Sequence, residues 1–352
     1  MTWSCDPAEG LGVLETGTSW RVSFDSTTIT GEPLTQTGLI HLPSGDPPPE
    51  GWPVLVYGHM TTGAGPQAAP SLAGLDHPDR ARMSVGDDVC AGAVAAGVAV
   101  LRPDYEGIGS GGRHPYLIGD SLATSVLDML TQARAHLPLG QRWVSSGHSE
   151  GAHAALHAGA LAATRSMPPK AVVLFTPVTR MDFTIGLTSR LPVVLPGQGV
   201  VTSLIALMVE GTRMWDARWD ELALDGGLSE WALERWPLLH ELCLEELAPH
   251  LTRPARALWG PRGEELRAAT LQTLAHFDPL HTTLPLNIPI RIDAGLFDEV
   301  APFWLTNSLA RAYKSQGRPI TYTRWPTIHR GVPTNGHAAR PALQWIGDVL
   351  QK

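Results

Sequence analysis

The stretch RWVSSGHSEGAHAALHAGALAA, residues 142–163, constrains this chain more than any other. A β-prone run ends at Ser149, with Gly147 and Gly151 on either side, and very small residues then continue for helical length. Where a strand turns sharply into a helix, the residue at the bend is held in strained backbone angles. The residues two before and two after come so close that only glycine fits. The pattern G-x-S-x-G, here Gly-His-Ser-Glu-Gly, would present the Ser149 hydroxyl above a sheet edge, at the positive end of the following helix. A plain Gly/Ser turn satisfies the same five positions, so the remainder of the chain decides between them.

That remainder alternates. WRVSF and LTQTGLIHL, within residues 20–42, read as an antiparallel lead-in, followed by the proline-rich loop PSGDPPPEGW. PVLVYGH (53–59) is a continuous apolar run, as expected of a strand buried on both faces. Helix VGDDVCAGAVAAG, strand VAVLRPD, the Gly-rich loop YEGIGSGG and helix GDSLATSVLDMLTQARAHL precede the serine strand, and AVVLFTP follows its helix. Strands alternating with helices imply an α/β, mostly parallel, doubly wound sheet. From 178 to 284 no buried strand run occurs, only helical patterns rich in Trp and Leu. The alternation resumes with IPIRIDAG, PFWLTNSLARAYKSQG, PITYTRW and RPALQWIGDVLQ. The expected organisation is a core in two parts, 1–177 and 285–352, with a helical insertion at 178–284 forming a cap over the strands' C-terminal ends, where ligands bind in such sheets.

Bulk properties narrow the function. Of 352 residues, 43% are hydrophobic and 17% charged, which excludes a disordered chain. A net charge of −8 without a basic run argues against nucleic acid as a partner. Cys5, Cys90 and Cys243 are too few and too scattered for a disulfide framework or a metal set. The opening MTWSCDPAEG has neither the basic nor the apolar region of a leader, and no run of about 18 apolar residues spans a membrane. The expectation is a soluble, cytoplasmic chain with no stable membrane insertion. Its oligomeric state is not written in the sequence.

A serine hydroxyl needs a base, and the base an orienting carboxylate. In an α/β-hydrolase fold these follow in the order serine, acid, histidine. IPIRIDAGLFDEVAP offers Asp293, Asp298 and Glu299. Asp293 falls inside the strand pattern, whereas Asp298 falls in the loop beyond it and is the chosen acid. For the base, His329 lies four residues after PITYTRW, and His337 lies against the start of the last helix. Position favours His329. An oxyanion hole takes one N–H from the residue after the nucleophile, Glu150, whose side chain is not required. The other comes from the loop after PVLVYGH, from Met60 or Thr61. His59, His148 and His153 lie near the serine and read as packed or hydrogen-bonding histidines. No cofactor or metal is called for.

These segments resemble the bacterial branch of the secretory lipase family, α/β-hydrolases related to the lipase A type of Candida yeasts. The likeness runs over nearly the whole chain: GEPLTQTGLIHLPSGDPPPEGWPVLVYGHMTTGAGPQAAPS, then GVAVLRPDYEGIGSGGRHPYLIGDSLATSVLD, then GHSEG, DAGLFDEVAP and IHRGV. It implies Ser149 as nucleophile, Asp298 as acid and His329, over His337, as base. Two positions depart from the family's pattern. Met60 replaces a glycine of H-G-T-T-G beside the expected oxyanion hole, and Ala68 replaces a cysteine before A-P-S, removing half of a candidate disulfide. Together these features predict a serine carboxylic-ester hydrolase working through an acyl-enzyme on a small, hydrophobic ester. Acyl transfer and amide hydrolysis would use the same triad, and a non-catalytic binding protein on this fold would typically lack one of its members.

Overall fold

The structure, a computed structural model, describes residues 3–190, 192 and 197–351. The alternating segments become one nine-stranded sheet among the described residues. Its strands are β1 (Trp3–Pro7), β2 (Thr18–Thr27), β3 (Pro33–Leu42), β4 (Trp52–Gly58), β5 (Ala99–Pro103), β6 (Leu139–His148), β7 (Ala171–Phe175), β8 (Ile290–Gly295) and β9 (Ile320–Trp325). The order is β1-β2-β3-β5-β4-β6-β7-β8-β9. The ladders from β1 to β5 are antiparallel, and those from β5 through β4 to β9 are parallel. Strand β1 was not anticipated. It is an edge strand, only half-buried and ending in Pro7, so it carries little of the alternation that marks a strand in sequence.

Helices α1 (Arg80–Met83), α2 (Asp87–Ala95), α3 (Gly119–His136) and α4 (Glu150–Thr164) accompany the first strands. Between β7 and β8 run α5 (Met181–Thr188), α6 (Gln198–Trp215), α7 (Ala217–Leu222), α8 (Glu230–Arg235), α9 (Leu244–Leu247) and α10 (Gly263–His276). Helices α11 (Phe303–Ser315) and α12 (Ala339–Gln351) complete the chain. None of the described helices is long and apolar enough to cross a membrane.

The continuous apolar runs have a direct explanation in register. Val54, paired with Trp143, and Val172, paired with Ile290, point with their partners to one face, where α3, α4 and α11 pack. Their neighbours Leu55, Val144 and Val173 point to the other, against α2 and α12. Both faces are covered, so the parallel strands need apolar residues at every position.

The insertion between β7 and β8 builds a core of its own from Ile205, Val209, Leu239, Leu247 and Leu258, with Tyr116 and Leu117 of the main body joining it. Residues 191 and 193–196 of this stretch lie outside the described residues. A buried ion cluster fixes the insertion to the main body. Glu210, fully buried on α6, receives Arg113 from the loop before α3, Arg213 at 3.2 Å and Trp236 Nε1 at 2.8 Å, and Arg113 also reaches Asp220 at 3.0 Å.

Where the chain enters and leaves the insertion it is clasped by Asp278, 3% exposed. Its Oδ1 accepts from Thr179 Oγ1 and Leu280 N–H, both at 2.9 Å, and its Oδ2 from Arg180 N–H. Asp278→Ala would leave three donors unanswered at this neck. The expected loss is on the order of 2–4 kcal/mol of stability, read as a lowered thermal midpoint. Asp278→Asn, which retains one acceptor oxygen, should fall between that variant and the wild type.

Candidate active site

The position of Ser149, the expected nucleophile, follows from three glycines. A Cβ on Gly147 would run into the Gly151 backbone, and one on Gly151 into the carbonyl of Gly58 at the end of β4. Because none is there, α4 sits directly on β4 and β6, with Ala154, Ala155, Ala158 and Ala162 fully or almost fully buried beneath it. The small residues after the serine are thus a packing requirement of the turn. Ser149 is left at φ 58°, ψ −115°, a conformation rare for a side-chain-bearing residue. Its N–H is tied to the Phe175 carbonyl of β7 at 2.9 Å.

Asp298 and His329 come together, although 31 residues apart. His329 Nδ1 lies 2.9 and 2.8 Å from the two carboxylate oxygens of Asp298. Asp298 Oδ1 also accepts from the N–H groups of Val300, at 2.9 Å, and Ala301, at 2.6 Å, which fixes the loop. A carboxylate accepts only, so Nδ1 carries the proton and Nε2 is the free, basic nitrogen. Nε2 is buried with no hydrogen-bond partner among the described residues. The other candidates are committed elsewhere. Asp293 is fully buried and takes Arg291 at 2.7 and 3.0 Å and Trp325 Nε1 at 2.9 Å. Glu299 accepts the His329 backbone N–H at 3.2 Å. His337 leans on Thr334 Oγ1 at 3.2 Å and is not part of the cavity wall.

Ser149 and His329 line one cavity of about 410 Å³, together with Met60 and Thr61. No hydrogen bond joins the serine to His329 among the described residues; such bonds tighten in the Michaelis complex. The opposite wall is apolar and comes from the insertion and its entry: Val178, Met181, Ile185, Val201, Leu204 and Met208. Glu150 opens α4, so its N–H has no intrahelical acceptor.

The loop carrying Met60 and Thr61 is held on several sides. Tyr105 OH donates to the His59 carbonyl at 2.9 Å, and His59 Nδ1 to the Met60 carbonyl at 2.7 Å. Thr61 Oγ1 and Tyr116 OH are 2.8 Å apart. From the insertion, Leu244 N–H donates to the Thr62 carbonyl at 2.8 Å, and Gly63 bridges Cys243.

The nearby histidines are structural. Burial pushes His59 down to about 3. Burial, with His329 beside it, holds His148 well below the ordinary histidine range, and its Nε2 donates to the His329 carbonyl at 3.0 Å. His153, equally buried, is held neutral in the same way, with His157 adding to the effect.

The sequence reading gave the Glu150 side chain no part, but it is fully buried, with Oε1 2.8 Å from the fully buried His114 Nε2. His114 Nδ1 is itself 2.8 Å from the Glu106 carbonyl. One ring thus joins the first turn of α4 to the Gly-rich loop. The only sequence signal for this partnership is the histidine of the loop segment RHPYL.

No protein-family profile matches the chain, and no curated protein matches its sequence. Candida antarctica lipase A in its closed state superimposes on 100% of this chain and 81% of its own, with TM-score 0.81 at 16% identity. LipA of Xanthomonas oryzae, a rice cell wall degrading esterase, superimposes on 100% of this chain and 96% of its own, with TM-score 0.72 at 19% identity. The likeness to the lipase A type that the motifs suggested is therefore matched in three dimensions, and the chain has the α/β-hydrolase fold that these lipase and esterase structures share.

Proposed function

We propose that the protein is a serine carboxylic-ester hydrolase that works through an acyl-enzyme. The observation that carries this reading is the Asp298-oriented imidazole of His329, with its Nε2 unpaired, in the same cavity as the strained Ser149. In this mechanism Ser149 Oγ attacks the ester carbonyl while His329 Nε2 takes its proton and later returns it to the leaving alcohol. Asp298 holds the imidazolium that forms in between. The N–H of Glu150, with that of Met60 or Thr61, receives the oxyanion, and water then repeats the attack to release the acid. The apolar wall contributed by the insertion favours a hydrophobic part in the substrate.

Labelling with a fluorophosphonate probe, followed by mapping of the modified peptide, tests the triad. An adduct on Ser149 is expected, lost in Ser149→Ala and His329→Ala and kept in His337→Ala. Turnover of a neutral ester should fall by on the order of 10⁵-fold or more in the first two variants. An adduct that survives His329→Ala would refute the assignment of the base. Acyl transfer separates from hydrolysis by adding an alcohol acceptor and asking which product forms.

The buried pair behind the nucleophile gives a second expectation. Glu150→Ala strands His114 Nε2 in the interior and should cost about 1–3 kcal/mol of stability. It should also lower kcat, because the first turn of α4 loses its support. Glu150→Gln keeps an acceptor for His114 and should be the milder change in both thermal midpoint and kcat.

A further inference from the structure

One charged side chain on the cavity wall has no part in the reaction as described: Arg82, in α1. It lines the same cavity as Ser149 and His329, and its side chain is only 14% exposed. Its guanidinium makes no hydrogen bond among the described residues, and Nε is sealed from solvent without a hydrogen-bond partner. Asp79 Oδ1 lies 3.0 Å from Nε and answers the charge without hydrogen-bond alignment. Asp79 Oδ2 also has no hydrogen-bond partner among the described residues, and burial pushes that carboxyl up to about 6. Glu245, largely exposed, stands 3.8 Å from Nη2, beyond hydrogen-bond range. The Nη edge of the fork is thus left with its donors unused, on the wall of a cavity.

The location is specific. Arg82 Nη2 faces Glu245, whose neighbour Leu244 donates its N–H to the Thr62 carbonyl of the expected oxyanion loop. Arg82 therefore stands on the oxyanion-loop side of the cavity, not on the apolar wall. A second cation, Arg330, follows His329 directly, is exposed, lines the same cavity and makes no ion pair among the described residues. The acidic side chain on this wall, Glu299, has its Oε2 occupied by the His329 N–H.

A planar guanidinium with a free edge is matched by a carboxylate, which accepts two parallel hydrogen bonds from it. We propose that Arg82 binds a carboxylate carried by the substrate, so that the preferred substrates are anionic esters. The apolar part lies against the wall of Val178, Met181 and Leu204, the carboxylate on Arg82, and the scissile carbonyl at Ser149. This rests on the hydrolase reading above.

Two matched pairs of esters test it on the full chain. p-Nitrophenyl butyrate against the p-nitrophenyl monoester of glutaric acid places the carboxylate on the acyl part. Phenyl acetate against 4-acetoxybenzoate places it on the alcohol part. In at least one pair the wild type should prefer the anionic member in kcat/KM. Arg82→Gln should lower that anionic-to-neutral ratio by about tenfold or more, chiefly through KM, and Arg82→Lys should restore part of it by returning the charge without the fork. If Arg82→Gln does not fold, the wild type decides. An anionic preference that shrinks as sodium chloride rises supports the proposal, and a preference for the neutral member of both pairs overturns it. An unchanged ratio in a folded Arg82→Gln also overturns it. A wild type that hydrolyses none of the four esters and takes no fluorophosphonate would refute the hydrolase reading itself, a result distinct from activity confined to the neutral esters.

Discussion

Everything at this site depends on the approach of three backbones, those of Gly58, Gly147 and Gly151. At that crossing β4, β6 and α4 are closer than any side chain would permit. The approach seats α4 on the sheet and forces Ser149 into its strained conformation, which costs about 1–3 kcal/mol and persists because the surrounding ladders over-determine it. It also sets the N–H of Glu150 beside the loop that leaves β4. A single methyl group at any of these positions would act on Ser149, the Glu150 N–H and helix packing together.

Around that crossing the fold sorts its buried charges so that each has one task. Asp293 and Asp298 lie five residues apart, yet one is saturated by Arg291 and Trp325 and the other by the imidazole and two backbone N–H groups. Glu150 is spent on His114, and Glu210 on the arginines that join insertion to main body. A buried carboxylate is costly unless it is answered, and Glu150 is answered on Oε1 alone among the described residues. Asp79 Oδ2 and Arg82 Nε lack hydrogen-bond partners among the described residues, and Arg82 lines the cavity.

The parallel core strands and their helices were legible because burial on both faces writes unbroken apolar runs, as in PVLVYG and AVVLF. The elbow was legible because steric exclusion of Cβ leaves glycine as the only choice at two fixed offsets. Asp298 and His329 followed from strand ends and chain order. What the sequence hid was long-range polar pairing. His114 and Glu150 are 36 residues apart, and Arg113 and Glu210 are 97 apart, with no periodicity to announce either partnership. Strand β1 was hidden for the opposite reason: a half-buried edge needs no pattern at all.

The bond from Leu244 to Thr62, with the bridge from Cys243 to Gly63, has a bearing on how a bulky molecule could enter. The insertion and the loop that leaves β4 share one seam. Any movement of the α9 end of the insertion would pull on the loop that carries Met60 and Thr61, so the insertion and that part of the cavity wall are mechanically linked there.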